Sequence, residues 1–199
     1  AGKNALGVIL GNGWYNCFTE DPWNTRQASW RHWPKVIAEL HIKLADGSEK
    51  VITTNPSWKS AKSPIVFNGI RHGEIYDARL EIPGWNTAEF DDSGWEGTKI
   101  IRGPGGELRA FELEPIRITR EIPAVRKWKS PAGSWMFDIG QNIAGIVRVK
   151  LAGKAGTEIT IRYSDLLKED NLTLDQAPIR GFVRSGEFQT DKYIKKSDD

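Results

Sequence analysis

The chain has 199 residues, 39% hydrophobic and 27% charged, with 28 Lys and Arg against 26 Asp and Glu for a formal net charge of +2. This is the composition of a globular protein of one large or two small domains. Its charges are interspersed, with no basic stripe to neutralise a phosphate backbone, and no apolar run reaches the length of a membrane span, so neither nucleic acid nor a membrane is an expected partner. Leu6 to Leu10 reads as an apolar strand whose hairpin partner should precede residue 1. Val36, Ala38, Leu40, Ile42 and Leu44 alternate with Ile37, Glu39, His41 and Lys43, which is the period of a strand with one apolar face. Asp46-Gly47 then predicts a hairpin turn, with Lys50 to Thr54 as the return strand.

Further along, Pro115 to Arg120 opens a new alternating run. Val147, Val149 and Leu151 alternate with Arg148 and Lys150, and Gly153 to Gly156 turns the chain into Thr157 to Tyr163, predicting a second hairpin. Ser164 to Asp170 could form one or two helical turns capped by Ser164. Phe188 to Ile194 reads as a strand with no partner after it. Twenty Gly and ten Pro spread between short strands argue for an all-β fold of two consecutive β-sandwich, jelly-roll-like units. The flexible Arg102-Gly103-Pro104-Gly105-Gly106 places their boundary near Pro115, giving units 1–114 and 115–199. Buried sheets need their edges paired or covered, so we expect a piece of a longer protein cut at both ends, or one that pairs with another chain.

Nine tryptophans stand out, and most sit beside Gly, Asn, Asp and Pro. A flat ring in such a loop either stacks on a sugar or plugs the end of a sandwich. The loop from Asn12 to Pro34 is the best candidate for binding, because it combines Trp14, Trp23, Trp30 and Trp33 with Asn12 and Asn24. Stacking faces beside amide groups suit the C–H faces and hydroxyls of a pyranose. Trp85 and Trp95 read instead as anchors of the first sandwich, and Trp128 and Trp135 lie in the second unit, where no site is expected.

Other motifs have plainer readings beside their chemical ones. Glu74 and Asp77 look like a carboxylate pair, but an odd separation on a strand points them to opposite faces, while Asp77 and Arg79 share a face and could pair. Asp91-Asp92-Ser93-Gly94-Trp95 reads as a turn in which Asp bonds its own backbone, with Ca²⁺ binding alongside Asn86 as the alternative. Gly140 and Gly145 bracket a tight connection whose backbone Gln141 and Asn142 could satisfy. Asn171-Leu172-Thr173 fits a glycosylation sequon by pattern. Cys17 is the single cysteine, which excludes an internal disulfide; it reads as a small filler, with no histidine paired to it.

The run Asn4 to Tyr15, the stretch Gly73 to Arg79, Gly84-Trp85 and Phe90 to Trp95 resemble the N-terminal β-sandwich of bacterial α-L-rhamnosidases of glycoside hydrolase family 78. Phe137-Asp138-Ile139-Gly140-Gln141-Asn142-Ile143-Ala144-Gly145 is similar to the concanavalin-like β-sandwich that follows it, and Gly153 to Tyr163 fits the next hairpin. The resemblance covers nearly the whole chain. It implies a parent that hydrolyses terminal α-L-rhamnosyl bonds with inversion, using glutamates of a downstream (α/α)₆ barrel. No residue of this chain takes a catalytic role in that scheme, and no cofactor is required for catalysis. The expected partners are that barrel and a rhamnose-containing carbohydrate. In some relatives the N-terminal sandwich binds rhamnose with Ca²⁺, so Ca²⁺ is possible here, with no ligand matched. A scaffold without any ligand is the alternative, and exposure of the tryptophans should discriminate. The compartment, bacterial cytoplasm or exported, is left open.

Overall fold

The computed structural model describes residues 2–110 and 112–198. Among these it is all-β: ten short strands and three single-turn 3-10 helices, Thr25–Gln27, Ala78–Leu80 and Arg180–Phe182. No helix among the described residues is long and apolar enough to cross a membrane.

Strands β1 (Glu39–Lys43) and β2 (Glu49–Thr53) form the first predicted hairpin, in register from Glu39 opposite Thr53 to Lys43 opposite Glu49. Gly47 adopts φ 84°, and the Asp46 carboxylate accepts hydrogen bonds from the Ser48 amide and hydroxyl at 2.9 and 2.6 Å. Asp46 thus closes the turn by bonding the backbone two residues on. Two-residue strands β3 (Lys59–Ser60) and β6 (Glu96–Gly97) pair beside the acidic turn, where the Ser93 amide donates to Asp91 at 2.9 Å. Trp95 packs edge-on to Phe90 there, with ring centroids 5.4 Å apart, as an anchor of that turn should.

The largest sheet has the order β4 (Ile65–Gly69), β5 (Gly73–Asp77), β10 (Thr190–Ile194), β9 (Glu158–Arg162). β4 and β5 are an antiparallel hairpin, β10 runs parallel to β5, and β9 is antiparallel to β10. One sheet therefore contains strands from both sides of Pro115. β7 (Arg126–Lys129) and β8 (Trp135–Asp138) make a separate hairpin.

Several expectations are corrected. Leu6–Leu10, Pro115–Arg120 and Val147–Leu151 form no strand, because alternation supplies a face but not the backbone partners a ladder requires. β9 pairs with β10 instead of with 147–151, and β10 takes both its partners, β5 and β9, from earlier in the chain. Ser164–Asp170 is not helical. Ser164 Oγ donates to the Asp175 carbonyl, and the Lys168 amide bonds the Thr173 carbonyl at 2.8 Å around a turn held by Asp170. Asp138, rather than Gln141 or Asn142, satisfies the Gly140 amide, at 2.7 Å.

The buried apolar residues described are Cys17, Ala78, Val183 and Phe188, accompanied by the polar Asn16, Asp21, His72, Asp77 and Thr190. The chain exposes 15868 Å², against about 9,400 Å² for a compact monomer of this mass. Leu40 and Leu44 of the predicted apolar face, Ile116, Ile146 and Leu108 all stand in solvent.

Candidate functional site

The loop 12–34 is held at both ends by side-chain amides. Asn12 donates through Nδ2 to the Asn68 side chain at 2.8 Å and to its carbonyl at 3.1 Å, while its amide donates to Asn68 Oδ1. Asn16, fully buried, donates to Asn12 Oδ1 at 2.6 Å and accepts from Arg31 Nη1 at 2.7 Å. Asn12 is therefore occupied in joining the loop to β4. Buried amides of this kind require such partners.

Asp21 is the second buried post. Its Oδ1 accepts from the Trp23 and Thr25 amides at 2.9 and 3.1 Å, and its Oδ2 meets Arg71 Nη1 at 3.1 Å. Burial would raise its pKa, but the hydrogen bonds from Thr25 and Trp23 and the charge of Arg71 hold it below the ordinary carboxylate value. Cys17, buried beside it, points Sγ at Asp21 and has no histidine partner.

Above Asp21 the Arg71 guanidinium stacks on two predicted site residues, 4.9 Å from the Trp14 centroid and 4.6 Å from that of Trp23. Trp23 also stacks on Phe182, 5.8 Å away and 11° from parallel, and Phe182 leans on Phe188. The row from Trp14 to Phe188 ties the loop to the segment 182–188. The Arg184 amide reinforces it by donating to the Glu20 carbonyl at 2.9 Å.

Trp14, Trp23, Trp30 and Trp33 are each more than half exposed. Among the described residues Trp30 and Trp33 have no ring or cationic stacking partner, and no contact brings them together. Asn24 takes a left-handed backbone, φ 54°, and makes no side-chain cap bond. It lines a hollow of about 220 Å³ with Glu20, Asp21, Arg26, Gln27 and Arg184. Such a hollow offers amides and charged groups to hydroxyls. Sequence reasoning missed Arg71, Phe182 and Arg184, which lie far from the loop in the chain and carry no local signal.

Asp21 and Asp92, two of the carboxylates considered for calcium, are already engaged. Asp21 already accepts two backbone hydrogen bonds and faces a guanidinium, and Asp92 pairs with Lys59 at 2.8 Å. No three His, Cys, Asp or Glu side chains converge among the described residues. Nor do Glu74 and Asp77 make a dyad. Asp77 is held by Arg79 through two contacts of 2.8 and 2.7 Å, but not across a shared strand face: β5 ends at Asp77, which caps the 3-10 turn Ala78–Leu80 that carries Arg79, and Glu74 lies on the other face of β5.

Comparisons with known proteins agree with this architecture. Residues 1–120 match the α-L-rhamnosidase N-terminal domain, and residues 128–198 match the bacterial α-L-rhamnosidase concanavalin-like domain. The chain is similar to an α-L-rhamnosidase of Streptomyces avermitilis, 33% identical over 98% of this chain and 18% of the relative. Among solved structures it is similar to the Streptomyces avermitilis α-L-rhamnosidase complexed with L-rhamnose, with a TM-score of 0.78 and 31% identity over 92% of this chain and 17% of that one. It is also similar to the α-L-rhamnosidase from Dictyoglumus thermophilum, with a TM-score of 0.74 and 38% identity over 83% of this chain and 18% of that one. The chain thus spans about a fifth of the length of these relatives. With one domain match over more than half of its residues and another over most of the remainder, the chain belongs to the α-L-rhamnosidase family.

Proposed function

We propose that this chain is the non-catalytic β-sandwich portion of an α-L-rhamnosidase. Cleavage of terminal α-L-rhamnosyl linkages belongs to an (α/α)₆ barrel elsewhere in the parent. This portion supports that barrel and binds an L-rhamnose-type sugar through the 12–34 loop. The observation that carries the sugar reading is the exposure of Trp14, Trp30 and Trp33 on the same loop as Asn24, which lines a polar hollow. Asn12 and Trp23 serve this site by holding the loop in place. Titration calorimetry of L-rhamnose on the full-length parent tests the reading. Binding heat that falls in Trp30→Ala and Trp33→Ala supports it, and its absence from the wild type refutes it. An arm with EDTA tests the calcium dependence implied by the family.

A scaffold without ligand is the second reading. It is favoured by the large exposed area and by the stack of Trp23 on Phe182. Exposed apolar residues on this scale call for covering protein, and the remaining four-fifths of the parent would supply it.

A further inference from the structure

The four-stranded sheet carries a second concavity, separate from the loop, of about 420 Å³. This lies within the range of about 300–1,000 Å³ typical of small-molecule sites. We propose that the cleft formed by Glu74, Tyr76, Asp191 and Tyr193 is a second carbohydrate site, which takes a neutral pyranose.

The register builds the cleft. Tyr193 of β10 lies opposite Tyr76 of β5, and two positions back Asp191 and Glu74 point to the same face. The tyrosine rings stack 5.8 Å apart and 8° from parallel. They form an aromatic wall against which the C–H groups of a sugar can lie. Val147 and Ile161 extend that wall with apolar surface.

The polar groups are already positioned. Tyr76 donates to Glu81 at 3.0 Å, and Glu81 is held in turn by Lys196 at 3.3 Å. Asp191 accepts from the Glu74 amide at 2.8 Å and from the Tyr163 hydroxyl at 2.7 Å. Pre-oriented acceptors of this kind spare a ligand the cost of ordering them. Glu74 differs from its neighbours. Its half-buried carboxyl has no hydrogen bond or ion pair among the described residues, and burial together with the charge of Asp191 pushes its pKa up. A pair of sugar hydroxyls would supply the donors it lacks.

Charge selects the ligand class. Glu74, Glu81 and Asp191 line the cleft, while Lys192 is already shared between Glu158 and Glu187 at 3.4 and 3.6 Å. The lining is acidic, so a uronate or sulfated sugar is repelled and a neutral one accepted.

The test is titration calorimetry on the full-length parent with L-rhamnose, D-glucose and D-glucuronate as probes. Glu74→Gln keeps the shape of a side chain that makes no contact the fold depends on, and thermal melting confirms that it folds. Tyr76→Phe, which keeps the ring stack, is the second variant. The expected result is a neutral-sugar component weakened about tenfold in Glu74→Gln, or ~1.4 kcal/mol, and unchanged in Trp30→Ala and Trp33→Ala. The proposal is overturned if neither cleft variant alters neutral-sugar binding, or if D-glucuronate binds more tightly than the neutral probes. It is equally overturned if all neutral-sugar heat disappears with the tryptophan variants, a result that would leave the loop reading intact.

Discussion

Asp21 and Arg71, fifty residues apart in sequence, meet at 3.1 Å beneath two tryptophans. The Asp21 side chain is 1% exposed and that of Arg71 18%. Removing one partner from such a pair leaves the other desolvated and uncompensated. Arg71→Ala should therefore cost about 2–3 kcal/mol, below the roughly 3–5 of a fully buried pair because Arg71 retains some water. A urea midpoint that falls with an unchanged slope would establish this; a shift within error would show the pair to be idle.

The same carboxylate gives a pH dependence. Its folded pKa lies below the ordinary 3.8, so its contribution is present above that value and is lost as pH falls through the folded pKa. Wild type should lose stability on acidification below about pH 4 more steeply than Asp21→Asn. Urea titrations of both proteins at stepped pH would expose parallel curves, which this account does not allow.

Gly73 opens β5 at φ 112°, and a Cβ there would sit against the Thr190 carbonyl and 2.7 Å from Asp191 Oδ1. Both the backbone and the space forbid a side chain. Gly73→Ala should destabilise by more than about 1 kcal/mol. Gly94, with nothing within 4 Å and no positive φ, is the control and should tolerate alanine. Equal melting temperatures for the two variants would contradict the parallel packing of β5 on β10.

His41 sits on β1 with Nδ1 2.6 Å from Glu49 and Nε2 3.3 Å from Glu39. The Glu49 contact, then the Glu39 contact, raises its pKa above 6.5. Any stability it adds is present below the unfolded value and disappears as pH rises through the folded one. Proton NMR should place its titration above that of an unperturbed imidazole, and Glu49→Gln should bring it down. No movement in the variant would mean that the contact is not populated.

Local features were legible in the sequence wherever one segment holds all the partners. Asp46-Gly47, Asp91-Ser93 and the Asp77–Arg79 pair are contacts within a few residues, and each forms as its residue types require. Alternation in Val147–Leu151 could not reveal that β9 would prefer β10, because register depends on a strand some thirty residues away. Within the loop, the sequence showed the tryptophans but not that Arg71 would take Trp14 and Trp23 as stacking partners. The cleft at Glu74 was hidden for the same reason, since half of its wall comes from Asp191 and Tyr193.

Trp23 and Trp33 separate the two roles of the loop. Trp23 lies against Arg71 and Phe182, so Trp23→Ala removes a cation–π contact and an aromatic stack. Those contacts are worth about 0.5–2 and 0.5–1.5 kcal/mol, and the variant should unfold at lower urea. Trp33 is 70% exposed and has no such partner among the described residues. Trp33→Ala should leave the midpoint within about 0.5 kcal/mol of wild type, as exposed substitutions do, while weakening L-rhamnose binding to the parent. If Trp33→Ala destabilises as much as Trp23→Ala and leaves sugar binding untouched, the loop is scaffold throughout and its claim to carbohydrate falls.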